Sequence, residues 1–298
     1  MERTSAWSTV GKEYRTKSLQ DAFKAYDLDY HVTMHPLYAH LEDGTAIEVP
    51  NKMVTVREDT NRVFGIVSDK YPIIQNQEAL SFMEGIISDS GMELVRGGST
   101  SWGSYYMIGE LPPVTILGDS VKPHLIFQSS HDGSVPLRAT VCMLRIVCQN
   151  QFAHSFAESP ATIRVTHRGD TESKLKAAAD TLHSLHEYIK TYDRHAERLA
   201  SIRVTPTKFN EIVETFFKIP DGASKRVETR INDQKMAFRD AYDAIDNSNL
   251  KGNLWGVINA YTDYATHRTV KNQETLFLDS INPTGSVSNF VNFVDSAH

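Results

Sequence analysis

Between Leu137 and Gln149 the chain alternates with a period of two residues. One face carries Arg138, Thr140, Cys142, Leu144, Ile146 and Cys148; the other carries Leu137, Ala139, Val141, Met143, Arg145, Val147 and Gln149. Both faces are mostly apolar, which predicts a central strand covered on both sides. Arg145 interrupts the second face, and an arginine among apolar neighbours needs a partner or a ligand. His131-Asp132-Gly133-Ser134, just upstream, is a turn signal: Asp and Ser hydrogen-bond nearby backbone, and Gly tolerates positive φ.

The same patterning organises the rest of the chain. Residues 1–16 are polar and expected to be loosely held. Ser18 caps a short helix to Tyr26. Strands are predicted over 28–37, 47–57 and 63–68, with turns at Asp43-Gly44 and Asp59-Asn61, and Pro50 confines part of the second strand to an edge. These three form a meander. Asn76 caps a helix over 77–88 that Gly91 ends. Gly97-Gly98 marks a loop or bend, and further strands cover 105–111, 114–117, 124–129, 137–149 and 162–166.

From Ser173 the period changes. Leu175, Leu182, Ile189 and Ala196 fall seven apart, as do Ala178, Leu185, Tyr192 and Leu199, a heptad seam suited to a helical hairpin or an intersubunit coiled coil. Thr205-Pro206 opens the next helix, Pro220-Asp221-Gly222 breaks it, and helices follow over 224–246 and 253–269. Strands followed by segregated helices indicate an α+β fold, a largely antiparallel sheet with a β-β-β-α core and a helical C-terminal region. The expected organisation is a mixed sheet domain over 1–170, a helical region over 171–281 and a flexible tail over 282–298. No repeat of 20–50 residues is visible.

Composition adds bounds. The 298 residues are 40% hydrophobic and 23% charged, ordinary for a soluble globular protein. No apolar run approaches the roughly 18 residues that cross a membrane, and the N-terminus has no apolar signal core. Cys142 and Cys148 lie about 20 Å apart along one strand, too far to pair within it. The net charge of −6 argues against a globally basic nucleic-acid binder. Between Val121 and Gly169, however, Lys122, Arg138, Arg145, Arg164 and Arg168 stand against only Asp132 and Glu158. An anion-binding surface is therefore expected to be local and to include the central strands.

Candidate chemistry is sparse. His131, Asp132, His154, His167 and Cys148 have no metal-ligand spacing, and His183 and His186 share at most a helix face. Cys148 among apolar neighbours is expected to be inert as a nucleophile toward which His131 or His167 could act as base. Gly97-Gly98-Ser99-Thr100-Ser101 lacks the lysine of a phosphate-binding loop. No catalytic residue, cofactor or metal is assigned; a metal-dependent enzyme on His131, Asp132 and His167 ranks last. Binding a single strand needs cations for phosphates and flat rings for bases. The region offers Lys122, Arg138, Arg145, Arg164, His167 and Arg168, with Trp102, Tyr105, Tyr106 and Phe152 close by. The competing expectation is that the aromatics are core and the arginines pair with acids such as Asp132 and Glu158.

Ser130-His131-Asp132-Gly133-Ser134, Arg145-Ile146-Val147-Cys148-Gln149-Asn150 and Ile163-Arg164-Val165-Thr166-His167 resemble the phage/plasmid-like protein family called domain of unknown function 932. Tyr71-Pro72-Ile73-Ile74-Gln75-Asn76, Trp255-Gly256 and Tyr261-Thr262-Asp263-Tyr264 extend the resemblance over roughly Trp7 to His267. In outline the chain is also similar to phage single-strand annealing proteins of the Sak, Erf and RecT kind, which form rings or filaments and need no ATP. The resemblance implies a cytoplasmic protein of a bacterial host cell that binds single-stranded DNA, as a homo-oligomer, and can anneal it. Arg138, Arg145, Arg164, Arg168 and Lys122 would meet phosphates, His167 a phosphate or base, and Trp102 or Tyr105 would stack. His131, Asp132 and Ser134 form either a ligand loop or a structural turn. The alternative is a non-enzymatic phage assembly protein that oligomerises through the 173–200 helix.

Overall fold

The computed structural model describes residues 10–145, 150–152, 161–164, 171–245, 250–267, 276, 279 and 284–296. Its strands are β1 (Lys12–Thr16), β2 (Val32–His40), β3 (Ala46–Arg57), β4 (Arg62–Ser68), β5 (Glu93–Ser99), β6 (Ser104–Glu110), β7 (Val114–Ile116), β8 (Asp119–Ser130), β9 (Arg138–Arg145), β10 (Asn150–Phe152) and β11 (Thr162–Arg164). Its helices are α1 (Leu19–Ala25), α2 (Asn76–Leu80), α3 (Met83–Ser90), α4 (Thr171–Ser201), α5 (Pro206–Phe216), α6 (Lys225–Asp243), α7 (Leu254–His267) and α8 (Ser286–Ser296). The fold is α+β, with strands concentrated in the N-terminal half and helices in the C-terminal half.

All strand pairs are antiparallel. One sheet runs β1-β5-β6-β8-β9-β10, with β7 added on β8 and β11 on β9; β2-β3-β4 form a separate meander. Within the large sheet the period-2 rule holds. Met107, Leu125, Phe127, Ala139, Val141 and Met143 enter the main core with the helices, whereas Tyr106, Ile108, Ile126 and Cys142 face a smaller cluster with Val95 and Leu276. β9 is thus covered on both sides. The main core runs without a break from Leu19 to Val294, so the sheet and the C-terminal helices share it.

Local chemistry accounts for many element ends. Ser18 caps α1 by accepting the Asp21 amide, Thr205 caps α5 by accepting the Lys208 amide with Pro206 at its first position, and Gly91 ends α3 at φ 68°. Pro50 lies in the stretch of β3 between Glu48 and Lys52, where the pairing with β2 is interrupted and that with β4 has not begun. β4 contacts β3 from Lys52 onward, and the β2 register shifts between Pro36 and Tyr38.

Several expectations are corrected. Lys12–Thr16 is an edge strand, not a loose lead-in, and Gly97-Gly98 lies inside β5. A side chain at Gly97 would collide with the ring of Tyr26, so the glycine serves close packing of α1's end on the sheet. The single helix after Asn76 is two, α2 and α3, and its N-cap is Gln75. The segment expected as a flexible tail contains α8, which buries Val287, Phe290, Val291 and Val294 and is clamped by an Arg198–Asp295 ion pair. Of the heptad seam, Leu185, Tyr192, Ala196 and Leu199 are buried in the core of this chain, and Leu182 and Ile189 pack partly buried against it.

Candidate functional site

The strand registers place Gly98, Tyr106, Gln128, Arg138 and Arg164 side by side across five strands. At this end of the sheet a cavity of about 190 Å3 opens. Its wall comes from the β5–β6 turn and β6 (Thr100, Trp102, Ser104, Tyr105, Tyr106), the end of β8 (Gln128, Ser129), the following turn (Ser134, Val135) and the start of β9 (Arg138). Five residues singled out from the sequence, Trp102, Tyr105, Tyr106, Ser134 and Arg138, therefore meet at one place. Thr100, Ser104, Gln128, Ser129 and Val135 were not foreseen; strand register alone brings them in.

Arg138 is half-buried. Its Nε donates to Gln128 Oε1 at 3.1 Å, and no carboxylate among the described residues pairs with it. Burial lowers its guanidinium pKa from the ordinary value. Other arginines are satisfied: Arg57 pairs with Asp27 and Asp59, Arg96 with Glu13, and Arg15 with Glu93 and Glu110. An anion would complete Arg138 as those acids complete the others.

Trp102 sits in the turn from Thr100 to Ser104 and is 40% exposed. Gly103 adopts φ 86°, and a Cβ there would lie 2.6 Å from the Phe64 ring, so only glycine lets this turn rest on β4. Tyr105 departs from expectation. It is 2% exposed, its ring stacks on His131 with centroids 5.1 Å apart, and burial raises its phenol pKa. It is wall, not stacking platform.

Lys122 is also corrected. It lies toward the opposite end of β8 and pairs with Glu110 at 2.9 Å. Glu110 also receives Arg15 at 2.6 Å and stands 3.5 Å from His124. The His124 hydrogen bond first, then that of Lys122 and the charges of His124 and Arg15, hold its carboxyl down to about 2, against the burial that opposes ionisation. This is a closed ion-pair cluster, not a phosphate contact.

The Ser130–Ser134 segment is a self-satisfied turn. Asp132 Oδ1 accepts the Ser134 amide at 2.9 Å and its hydroxyl at 2.6 Å, while Ser130 Oγ accepts the Val135 amide. Burial works against the Asp132 anion, but these bonds outweigh it and keep its pKa below the usual value. His131 is buried against Tyr30, Phe64 and Tyr105, and burial pushes its pKa down to about 4. It is a neutral core histidine, not a ligand. Among the described residues no three His, Cys, Asp or Glu side chains converge as a metal would require, and Cys142 is buried. Arg145 and Arg164 occupy β9 and β11, Arg164 opposite Arg138 in register. His167, Arg168, Cys148, His154 and Glu158 lie outside the described residues.

Two of the sequence stretches behind the family resemblance meet here. Asn76 Nδ2 donates to the Leu28 carbonyl at 2.9 Å, which leaves Oδ1 to accept from His131 Nε2 at 2.8 Å. Tyr71 donates to the Ser130 carbonyl at 3.1 Å, and Gln75 bonds both backbone groups of Val32. Tyr71–Asn76 thus fastens the turn that forms one cavity wall. Trp255-Gly256 has a packing role instead, because a side chain at Gly256 would collide with the Leu250 carbonyl.

By fold and site this is an α+β protein whose large sheet ends in a cavity where, among the described residues, Arg138 meets no carboxylate. The chain belongs to the family described as domain of unknown function 932, whose model matches residues 63–281. No curated protein and no solved structure matches the chain. Among the described residues no helix is long and apolar enough to cross a membrane.

Proposed function

We propose that this is a phage or plasmid protein that binds single-stranded DNA at the cavity end of the large sheet. The observation that carries it is that Arg138, half-buried and without a carboxylate among the described residues, and the exposed Trp102 line one cavity. A guanidinium matches the oxygens of a phosphate, and an indole offers a face to any base. A base must leave its duplex stack to reach such a ring, so selectivity for single strands follows. Arg164, in register with Arg138, extends the cationic row on the backbone level. Annealing without ATP, by a homo-oligomer in the cytoplasm of a bacterial host, extends the same proposal and rests only on the resemblance in outline drawn from the sequence.

The test is fluorescence anisotropy of a labelled single-stranded oligonucleotide at low and high salt, beside a duplex of the same sequence. Expected are strand-selective binding, a fall in affinity as salt rises, and at least tenfold weakening in Arg138→Gln. No binding at low salt would overturn the proposal.

A further inference from the structure

The cavity is small for a stretch of strand. Its volume of about 190 Å3 lies below the roughly 300 Å3 at which pockets begin to enclose drug-sized ligands. It has room for one compact group. Its polar lining among the described residues is a guanidinium, a primary amide and hydroxyls, with no carboxylate among them.

The hydrogen bonds within the protein leave donors over. Among the described residues Arg138 spends only Nε, on Gln128, and Gln128 only its Oε1. Thr100 accepts the Ser104 amide at 3.1 Å through Oγ1, which leaves its hydroxyl hydrogen to donate. Several donors around one positive charge suit an anion with several oxygens at a single point. An internal phosphodiester presents two non-bridging oxygens, and its chain must both enter and leave. A phosphomonoester presents three oxygens, carries more negative charge near neutral pH and needs one way in.

We infer that the cavity seats a phosphomonoester, with Arg138, Gln128 and Thr100 donating to its oxygens and Trp102 stacking on the adjoining base. The phosphate is either the terminal phosphate of a DNA strand or that of a free mononucleotide. The first source rests on the single-strand proposal above; the second does not.

The experiment compares one labelled oligonucleotide sequence carrying a 5′-phosphate, a 3′-phosphate or hydroxyls at both ends. Unlabelled deoxyadenosine monophosphate and deoxyadenosine serve as competitors, and calorimetry measures the mononucleotide directly. Expected are at least tenfold tighter binding of one phosphorylated end, displacement by the monophosphate only, and loss of the end preference in Arg138→Gln with a smaller loss in Arg138→Lys. The wild-type comparison of ends stands even if a variant does not fold. Equal binding of phosphorylated and hydroxyl ends overturns this inference and leaves single-strand binding intact. An end preference that survives in a folded Arg138→Gln overturns it as well. If no oligonucleotide binds at low salt but the monophosphate binds in an Arg138-dependent way, the phosphomonoester site holds and the single-strand proposal fails.

Discussion

Acidification should unlock the turn beside the cavity through His131. Because Asn76 uses its amide nitrogen on the Leu28 carbonyl, its oxygen faces His131, and the proton of the neutral ring is on Nε2. A second proton would place a cation among Tyr30, Phe64 and Tyr105. Burial therefore lowers the pKa from 6.5 to about 4, with Asp132 pulling weakly the other way. The folded pKa lies below the unfolded one, so between these values the unfolded chain binds more protons. The stabilisation is fully present above about pH 6.5 and is lost as pH falls toward 4. At 1.36 kcal/mol per pKa unit, the shift corresponds to on the order of 3 kcal/mol, a large share of the 5–15 kcal/mol typical of a domain. The assay is urea unfolding followed by circular dichroism from pH 7.5 to 4, for the wild type and His131→Gln. Carboxylates titrate in both proteins, so the difference between the two profiles isolates the histidine. The variant should be less stable at pH 7, and its further loss on acidification should be smaller by on the order of 3 kcal/mol. Parallel profiles would refute the reasoning.

Other consequences are equally direct. Asn76→Ala strips partners from His131 Nε2–H and the Leu28 carbonyl inside the core, which should cost about 1–3 kcal/mol for each group left unsatisfied and show as a lower urea midpoint. Truncation after Asn282 removes Val287, Phe290, Val291 and Val294 from the main core. At roughly 1.5–3 kcal/mol per buried side chain, the truncated chain should melt far lower or not fold, as read by calorimetry. Trp102→Ala should leave the melting temperature within a degree or two of wild type, because the ring is substantially exposed. It should weaken strand binding by about 1–3 kcal/mol, roughly 5- to 150-fold by anisotropy.

Much of the architecture was legible in the sequence because the interactions that write it are short-range. Alternation needs only the pleat of one strand, and it is realised over Arg138–Arg145, short of the expected Gln149, because Asn150–Phe152 pairs back on the same strand; the Ser18 and Thr205 caps bond amides three residues away, and the Asp132–Ser134 turn closes on itself. The class of fold follows from their order. What the same residues do for function depended on partners distant in the chain. Lys122 and Arg138 read alike as cations, yet β6 sets Glu110 beside the one and β8 sets only Gln128 beside the other. Trp102 and Tyr105 read alike as stacking rings, yet one stands on a turn held open by Gly103 and the other lies against His131. Asn76 looked like a cap and instead holds a histidine 55 positions away. Gly97 looked like a bend and instead makes room for Tyr26. Turns, caps and periodicity are governed by bond rotation and hydrogen bonds within a few residues. Burial and charge pairing are settled only when strands choose neighbours, and that choice is made by the whole core at once.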